Sequence, residues 1–190
     1  MLLHNGLYGA ILIFTDFDKE VLMNHNRVIY IAHAGIIAAI YVVLTALAAG
    51  FNLASGAIQV RFSEALTILP FFTPAAIPGL TIGCLLSNIL TGCALPDVIF
   101  GTLATFIGAV GSYMLRKNRW LCSLPPILSN ALIIPFVLRY AYHIPGSIPF
   151  FMLTVGAGEV ISCFIFGQIL ISVLNPIRDT IFNADELNKK

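Results

Sequence analysis

The stretch AHAGIIAAIYVVLTALAAG, residues 32–50, decides the fold class of this chain. With the four residues before it, it forms an apolar run from 28 to 50 that contains no Asp, Glu, Lys or Arg. A helix needs about 20 predominantly apolar residues to cross the hydrocarbon core of a bilayer. The run therefore predicts a transmembrane helix, and it places the chain among the all-α integral membrane proteins.

The composition of the whole chain agrees with a membrane protein. Of its 190 residues, 58% are hydrophobic and only 10% are charged, whereas soluble domains contain about 25% charged residues. Ten basic and nine acidic residues give a net charge of +1, which excludes a nucleic-acid-binding protein that relies on bulk positive charge. The four cysteines stand singly in apolar surroundings with no CxxC pair, so neither a metal site nor a cofactor is predicted.

Apolar segments continue along the chain, separated by Pro, Gly and charged residues. They predict one six-helix membrane domain over residues 23–190, with transmembrane helices at 28–50, 63–72, 74–90, 96–115, 121–142 and 148–174. The second segment is the shortest of the six. Asn175 and Pro176, followed by a polar tail, are expected to end the sixth helix.

The first 22 residues differ from the rest of the chain. Their apolar run, residues 7–14, is too short to span a bilayer. No basic region precedes this run and no small-residue cleavage site follows it, so it does not fit a signal peptide. We expect residues 1–22 to be an N-terminal extension and Met23 to be the native start.

The basic residues predict the orientation in the membrane, because cytoplasmic segments carry an excess of Lys and Arg. If both termini are inside, only Arg61 and Arg139 lie outside. The other eight basic residues then lie on the cytoplasmic side: Lys19, Arg27, Arg116, Lys117, Arg119, Arg178, Lys189 and Lys190. The sequence therefore predicts an N-in, C-in topology.

A few polar residues occur where an apolar environment makes them costly. A charge near the bilayer centre costs about 2.5–3.5 kcal/mol on insertion scales, so such a residue usually faces a cavity or a partner. Glu159 lies deepest, about eleven residues or roughly 16 Å into the sixth helix. With the predicted topology these side chains share the outer half of the membrane, where they predict one substrate pocket: Glu159, Glu64, Asn88, Asp97, Asn130 and Arg61.

Structural roles are open for most of these residues. Asp97 follows a proline and is well placed to cap a helix. Arg61 and Glu64 are close enough in sequence to form a salt bridge. Asn88 and Asn130 are residue types that hydrogen-bond between transmembrane helices. Glu159, described above, has no basic neighbour in sequence, which favours a role in binding.

Small residues recur at four-residue spacing in the first helix, as in Ala34 and Ala38. Such pairs let two helices approach closely in a bilayer. The stripe predicts either packing within the chain's own bundle or a docking surface for another membrane protein.

Catalytic motifs are absent from the sequence. It contains no HExxH, no nucleophile elbow and no Walker glycine loop. The chain is therefore predicted not to be an enzyme, and ATP-driven transport would require ATPase subunits on other chains. Carboxylates, amides and nearby aromatic residues suit the binding of a ligand that donates hydrogen bonds or carries positive charge.

Residues 58–92, IQVRFSEALTILPFFTPAAIPGLTIGCLLSNILTG, continue in DVIFGTLATFIGAV at 97–110 and are preceded by AGIIAAIYVVLT at 34–45. This sequence resembles the QueT family, substrate-binding (S) components of energy-coupling factor (ECF) transporters for queuosine precursors. The resemblance implies an S-component-like bundle of six helices in the bacterial plasma membrane, which binds a deazaguanine base such as 7-aminomethyl-7-deazaguanine (preQ1) or queuine from outside. It also implies docking on a transmembrane coupling subunit (EcfT-like) that carries two ECF ATPases. Ala34 and Ala38 match the alanine motif that contacts this subunit.

Three other functions stay open from the sequence. The chain can be a stand-alone transporter whose carboxylates carry protons, or an S component for another vitamin. A small intramembrane enzyme that uses Glu64 and Glu159 as acid and base is the third, and the absence of catalytic motifs disfavours it.

Overall fold

The computed structural model describes residues 27–51 and 61–182, and neither stretch contains a β-strand. Six apolar helical segments occur where hydropathy predicts them, which confirms an all-α membrane fold. The predicted extension 1–22 and the Met23 start lie outside these residues. The inside and outside assignment of the termini stays a prediction.

The six segments differ in length. In chain order they are α1 (Arg27–Gly50), a 3₁₀ segment (Phe62–Phe71), α2 (Ala76–Leu90), α3 (Leu95–Met114), α4 (Leu124–Tyr140, after the 3₁₀ turn Leu121–Ser123) and a long last helix (Ile148–Phe182). Of these, α1, α3, α4 with its preceding turn, and the last helix are long and apolar enough to cross a membrane. The 3₁₀ segment and α2 are shorter.

The last helix changes its geometry along its length. It consists of α5 (Ile148–Glu159), a π-helical segment (Val160–Phe166), α6 (Gly167–Leu174), a 3₁₀ turn (Asn175–Ile177) and α7 (Arg178–Phe182). The prediction that Asn175 and Pro176 end it is wrong. Pro176 lies in the first turn of the 3₁₀ stretch, where no backbone N–H is needed, so the chain continues as a helix. Phe182 at its end stacks on Phe72 with the ring centroids 5.2 Å apart.

The 3₁₀ segment forms the centre of the bundle. Seven of its ten residues are buried, and it contacts α2, α3, the π-helical segment and α6. A 3₁₀ helix rises about 2.0 Å per residue, more steeply than an α-helix. The segment therefore carries Glu64 into the interior, where the elements that pack around it supply its partners.

Small residues set the closest contacts between helices. Ala34 and Ala38 of α1 face Gly79 and Gly83 of α2, and a Cβ atom on Gly83 would lie 3.1 Å from the Ala38 backbone oxygen. Ala38 is only 7% exposed. The structure thus gives Ala38 the packing role within the bundle, and a partner subunit cannot contact its side chain while α2 covers it. The expected partner interface at Ala34 and Ala38 is corrected accordingly, with Ala34 half-buried in the same contact.

Candidate substrate site

Two carboxylates and an amide meet in the interior from three different elements. Glu64 comes from the 3₁₀ segment, Asn130 from the middle of α4, and Glu159 from the last residue of α5. They are 1%, 2% and 6% exposed, respectively. A carboxylate oxygen of each glutamate and the thiol of Cys163 all lie within 4.8 Å of one another. We call these four residues the carboxylate cluster.

Each carboxylate accepts one hydrogen bond from a side chain that the sequence did not single out. The Tyr41 hydroxyl donates to Glu64 Oε1 at 2.6 Å, and the Cys163 thiol donates to Glu159 Oε2 at 3.0 Å. Tyr41 lies one helical turn after Ala38, where a polar tip on a packed helix face was the available signal. Cys163 lies one turn after Glu159, within the π-helical segment.

Other polar atoms of the cluster have no hydrogen-bond partner within 27–51 and 61–182. These are Glu64 Oε2 and Asn130 Nδ2, and the neighbouring Ser63 Oγ shares this property. A buried polar group without a partner costs about 1–3 kcal/mol. Unpaired acceptors and a donor that face the same interior region are typical of a site that binds a polar ligand.

The donor set of the cluster also bears on metal binding. Two carboxylates and a thiol are groups that a divalent cation can use, and among the residues described Glu64, Glu159 and Cys163 form such a group. In this structure the thiol donates its hydrogen to Glu159, which is the arrangement of a hydrogen-bonded cluster.

A second polar cluster lies between α2 and α3. A Cβ atom on Gly101 would be 3.2 Å from Asn88 Nδ2 and 3.4 Å from Asp97 Oδ1, so both side chains meet at this glycine. The Tyr142 hydroxyl donates to Asp97 Oδ2 at 3.0 Å and accepts from the Ala94 amide at 3.1 Å. Burial raises the pKa of Tyr142 to about 12, so the phenol keeps its proton near neutral pH.

The capping role considered for Asp97 does not occur. Helix α3 begins after Ala94, and no side chain caps its N-terminus. Asp97 lies in the first turn, and its Oδ1 is buried with no hydrogen-bond partner in the described ranges. The Asp97 carboxylate therefore keeps one oxygen for a ligand.

Arg61 lies between the two clusters in electrostatic terms. Its charge interacts favourably with Asp97 and Glu64, but no Arg61–Glu64 ion pair forms within 4.0 Å in the part of the chain described. The Arg61 backbone N–H donates to Ser162 Oγ at 3.2 Å. The structure thus groups Glu64, Asn130 and Glu159 closely, places Asn88 and Asp97 together beside them, and leaves Arg61 half-buried at the start of the 3₁₀ segment.

The comparisons with known proteins bear on what this site serves. The sequence profile described as QueT transporter matches residues 31–176. The chain belongs to the QueT transporter family. The queuosine precursor transporter QueT of Lactococcus lactis subsp. cremoris is 38% identical over 85 residues, which are 45% of this chain and 50% of that protein. The match thus spans about half the length of the curated relative. No solved structure matches the chain.

Membership of the QueT transporter family confirms the resemblance found in the sequence. The family is one of transporters, which agrees with the prediction that the chain is not an enzyme. Together with the four helices long enough to span a bilayer, it establishes a multi-pass membrane protein.

Proposed function

We propose that this chain is the substrate-capture subunit of an ATP-driven ECF importer in the bacterial plasma membrane and that it binds a queuosine precursor. The observation that carries the proposal is the carboxylate cluster, in which buried glutamates and an amide keep polar atoms without partners. The name of the Lactococcus relative, a queuosine precursor transporter, supports the substrate.

The chemistry of a deazaguanine base suits this arrangement. Its guanine-like edge offers a ring N–H and an exocyclic amine, which a carboxylate can accept together. The Asn130 Nδ2 can donate to the ring carbonyl. An aminomethyl substituent adds a positive charge, which Asp97 Oδ1 or the second glutamate can accept. Hydrogen bonds to charged groups contribute about 1.5–3 kcal/mol each, so a few of them support tight binding.

The energy source follows from what the chain lacks in sequence. It contains no Walker motif, so ATP hydrolysis would take place on two ATPase subunits joined to a coupling subunit. Since Ala38 is covered by α2, the surface of α1 that such a subunit can reach is the opposite one. That surface includes Gly35 and Ala39, which are exposed and small enough for close helix contact.

Binding to the purified protein tests the substrate. We expect isothermal titration with 7-aminomethyl-7-deazaguanine to give high affinity and Glu159→Ala to weaken it at least tenfold, about 1.4 kcal/mol. Glu159→Gln, which keeps the shape of the side chain, separates lost charge from lost packing. Unchanged affinity in both variants would remove Glu159 from the site. Binding of an unrelated vitamin instead would retain the class of transporter and remove the substrate.

A stand-alone proton-coupled transporter is the second candidate, because two buried carboxylates lie side by side. Vesicles that contain this chain alone distinguish the two. The ECF proposal predicts no concentrative uptake under a pH gradient, and uptake only when the coupling subunit, ATPases and ATP are present. Uptake driven by the pH gradient alone would favour the second candidate.

A further inference from the structure

Helix α1 is the least buried of the helices that can span the membrane. Within its most apolar window 17% of residues are buried, compared with 28–50% in the other three. Its outward side chains, such as Ile36, Val43 and Leu47, are more than half exposed. The contacts on its inner face therefore decide how α1 is held.

Those contacts join α1 to the site. A Cβ atom on Gly83 would lie 2.8 Å from Tyr41 Cβ, so α2 fixes the base of the tyrosine side chain at close range. The ring is 2% exposed, and its hydroxyl reaches Glu64 Oε1 at 2.6 Å. Tyr41 thus connects a helix that faces lipid to a glutamate in the interior.

We propose that Tyr41 is a positioning residue, which holds Glu64 so that Oε2 faces the ligand and makes ligand occupancy and the packing of α1 depend on each other. The proposal rests on the proposed function. Because the Tyr41 proton satisfies Oε1, the unpaired acceptor of Glu64 is Oε2. Anything that fixes Glu64 also fixes α1, and by thermodynamic reciprocity a displaced α1 weakens the ligand.

Tyr41→Phe removes the hydroxyl and keeps the ring. Tyr30→Phe is the matched control, since Tyr30 lies on the same helix and its hydroxyl donates to the Pro74 carbonyl at 3.4 Å instead of to the cluster. Two quantities are measured in each protein: the affinity for 7-aminomethyl-7-deazaguanine, and amide hydrogen exchange in α1 and α5 with and without that ligand.

We expect Tyr41→Phe to weaken binding about tenfold, the size of one hydrogen bond to a charged group. Ligand at saturation should slow exchange in α5 in every protein, and slow exchange in α1 in the wild type and in Tyr30→Phe only. A purely structural role would lower the stability of the ligand-free protein and leave the ligand-dependent protection of α1 intact. Wild-type affinity with protected α1 in Tyr41→Phe would overturn the proposal.

Exchange without ligand separates this proposal from the proposed function. If the wild type does not bind the base, the proposed function fails, and the contact between Tyr41 and Glu64 is still measurable. In that case Tyr41→Phe should accelerate exchange in α1, and combining it with Glu64→Leu should add nothing further, since both remove one hydrogen bond. Exchange in Tyr41→Phe no faster than in Tyr30→Phe would then overturn the role of Tyr41.

Discussion

Two polar clusters are buried in the same apolar bundle, and they differ in how completely they are hydrogen-bonded. Near α6, the Gln168 amide donates to the Arg119 carbonyl at 2.6 Å and to Ser123 Oγ at 3.2 Å. Its own oxygen accepts from Arg119 Nε at 3.1 Å. The carboxylate cluster, by contrast, leaves Glu64 Oε2 and Asn130 Nδ2 without partners among the residues described.

The difference shows that burial of polar groups does not by itself mark a binding site. The Gln168 cluster satisfies its members and joins the 116–123 connection to the last helix, so it stabilises the fold. The carboxylate cluster keeps acceptors and a donor for something outside the chain. Stability should therefore depend on the first cluster and ligand affinity on the second.

The largest expected effect is on ligand affinity, from replacing both glutamates of the carboxylate cluster. Glu64→Gln with Glu159→Gln should weaken binding of 7-aminomethyl-7-deazaguanine at least 100-fold, because two hydrogen bonds to charged groups contribute about 1.5 kcal/mol or more each. The ligand-free melting temperature should stay the same or rise, since buried amides cost less than buried carboxylates. Titration and thermal unfolding measure the two quantities.

A clear loss of ligand-free stability in this double variant, with affinity retained, would contradict the distinction between the clusters. The carboxylates would then have a structural role like that of Gln168.

The next effect is on stability, from opening the Gln168 cluster. Gln168→Leu keeps much of the volume and leaves the Arg119 Nε and carbonyl without their partner, which should cost about 1–3 kcal/mol of unfolding free energy. Affinity for the base should change less than twofold. Ser172→Ala is the control, because Ser172 accepts only from the exposed side of Arg119. A Gln168→Leu protein as stable as this control would remove the structural assignment.

The smallest effect is expected at the Asp97 end of the site. Tyr142→Phe removes the donor to Asp97 Oδ2, and because Tyr142 is 40% exposed, water can replace much of that bond. We expect a loss of affinity of about threefold to tenfold. Tyr140→Phe, at the adjacent end of α4, should leave affinity unchanged. Equal titration curves for the two variants would place Asp97 outside the ligand's reach.

The sequence predicted the membrane fold and the main residues of the site because both depend on polarity alone. Glu64, Asn130 and Glu159 are conspicuous in apolar segments, where their desolvation is costly. Tyr41 and Cys163 are ordinary residues of transmembrane helices, and their importance lies in contacts 23 and four residues away along the chain. Such contacts depend on how helices are rotated and packed, which hydropathy does not specify.

The same limit explains the errors about helix packing and helix ends. An Ala-x-x-x-Ala pair indicates close helix contact without naming the partner, and at Ala38 that partner is α2 of the same chain. Pro176 is a helix breaker in an interior position and is tolerated in a first turn, so its effect depends on the local geometry.

The π-helical segment Val160–Phe166 has a consequence for comparing relatives. An α-helix turns about 100° per residue, and a π-turn accommodates one residue more than an α-turn. A relative with a regular α-helix at this place would be one residue shorter there. Aligning it without a gap would then assign the inward position of Gln168 to a neighbour that points elsewhere. Comparisons across this family should therefore treat Glu159 and Gln168 as belonging to two separately counted stretches.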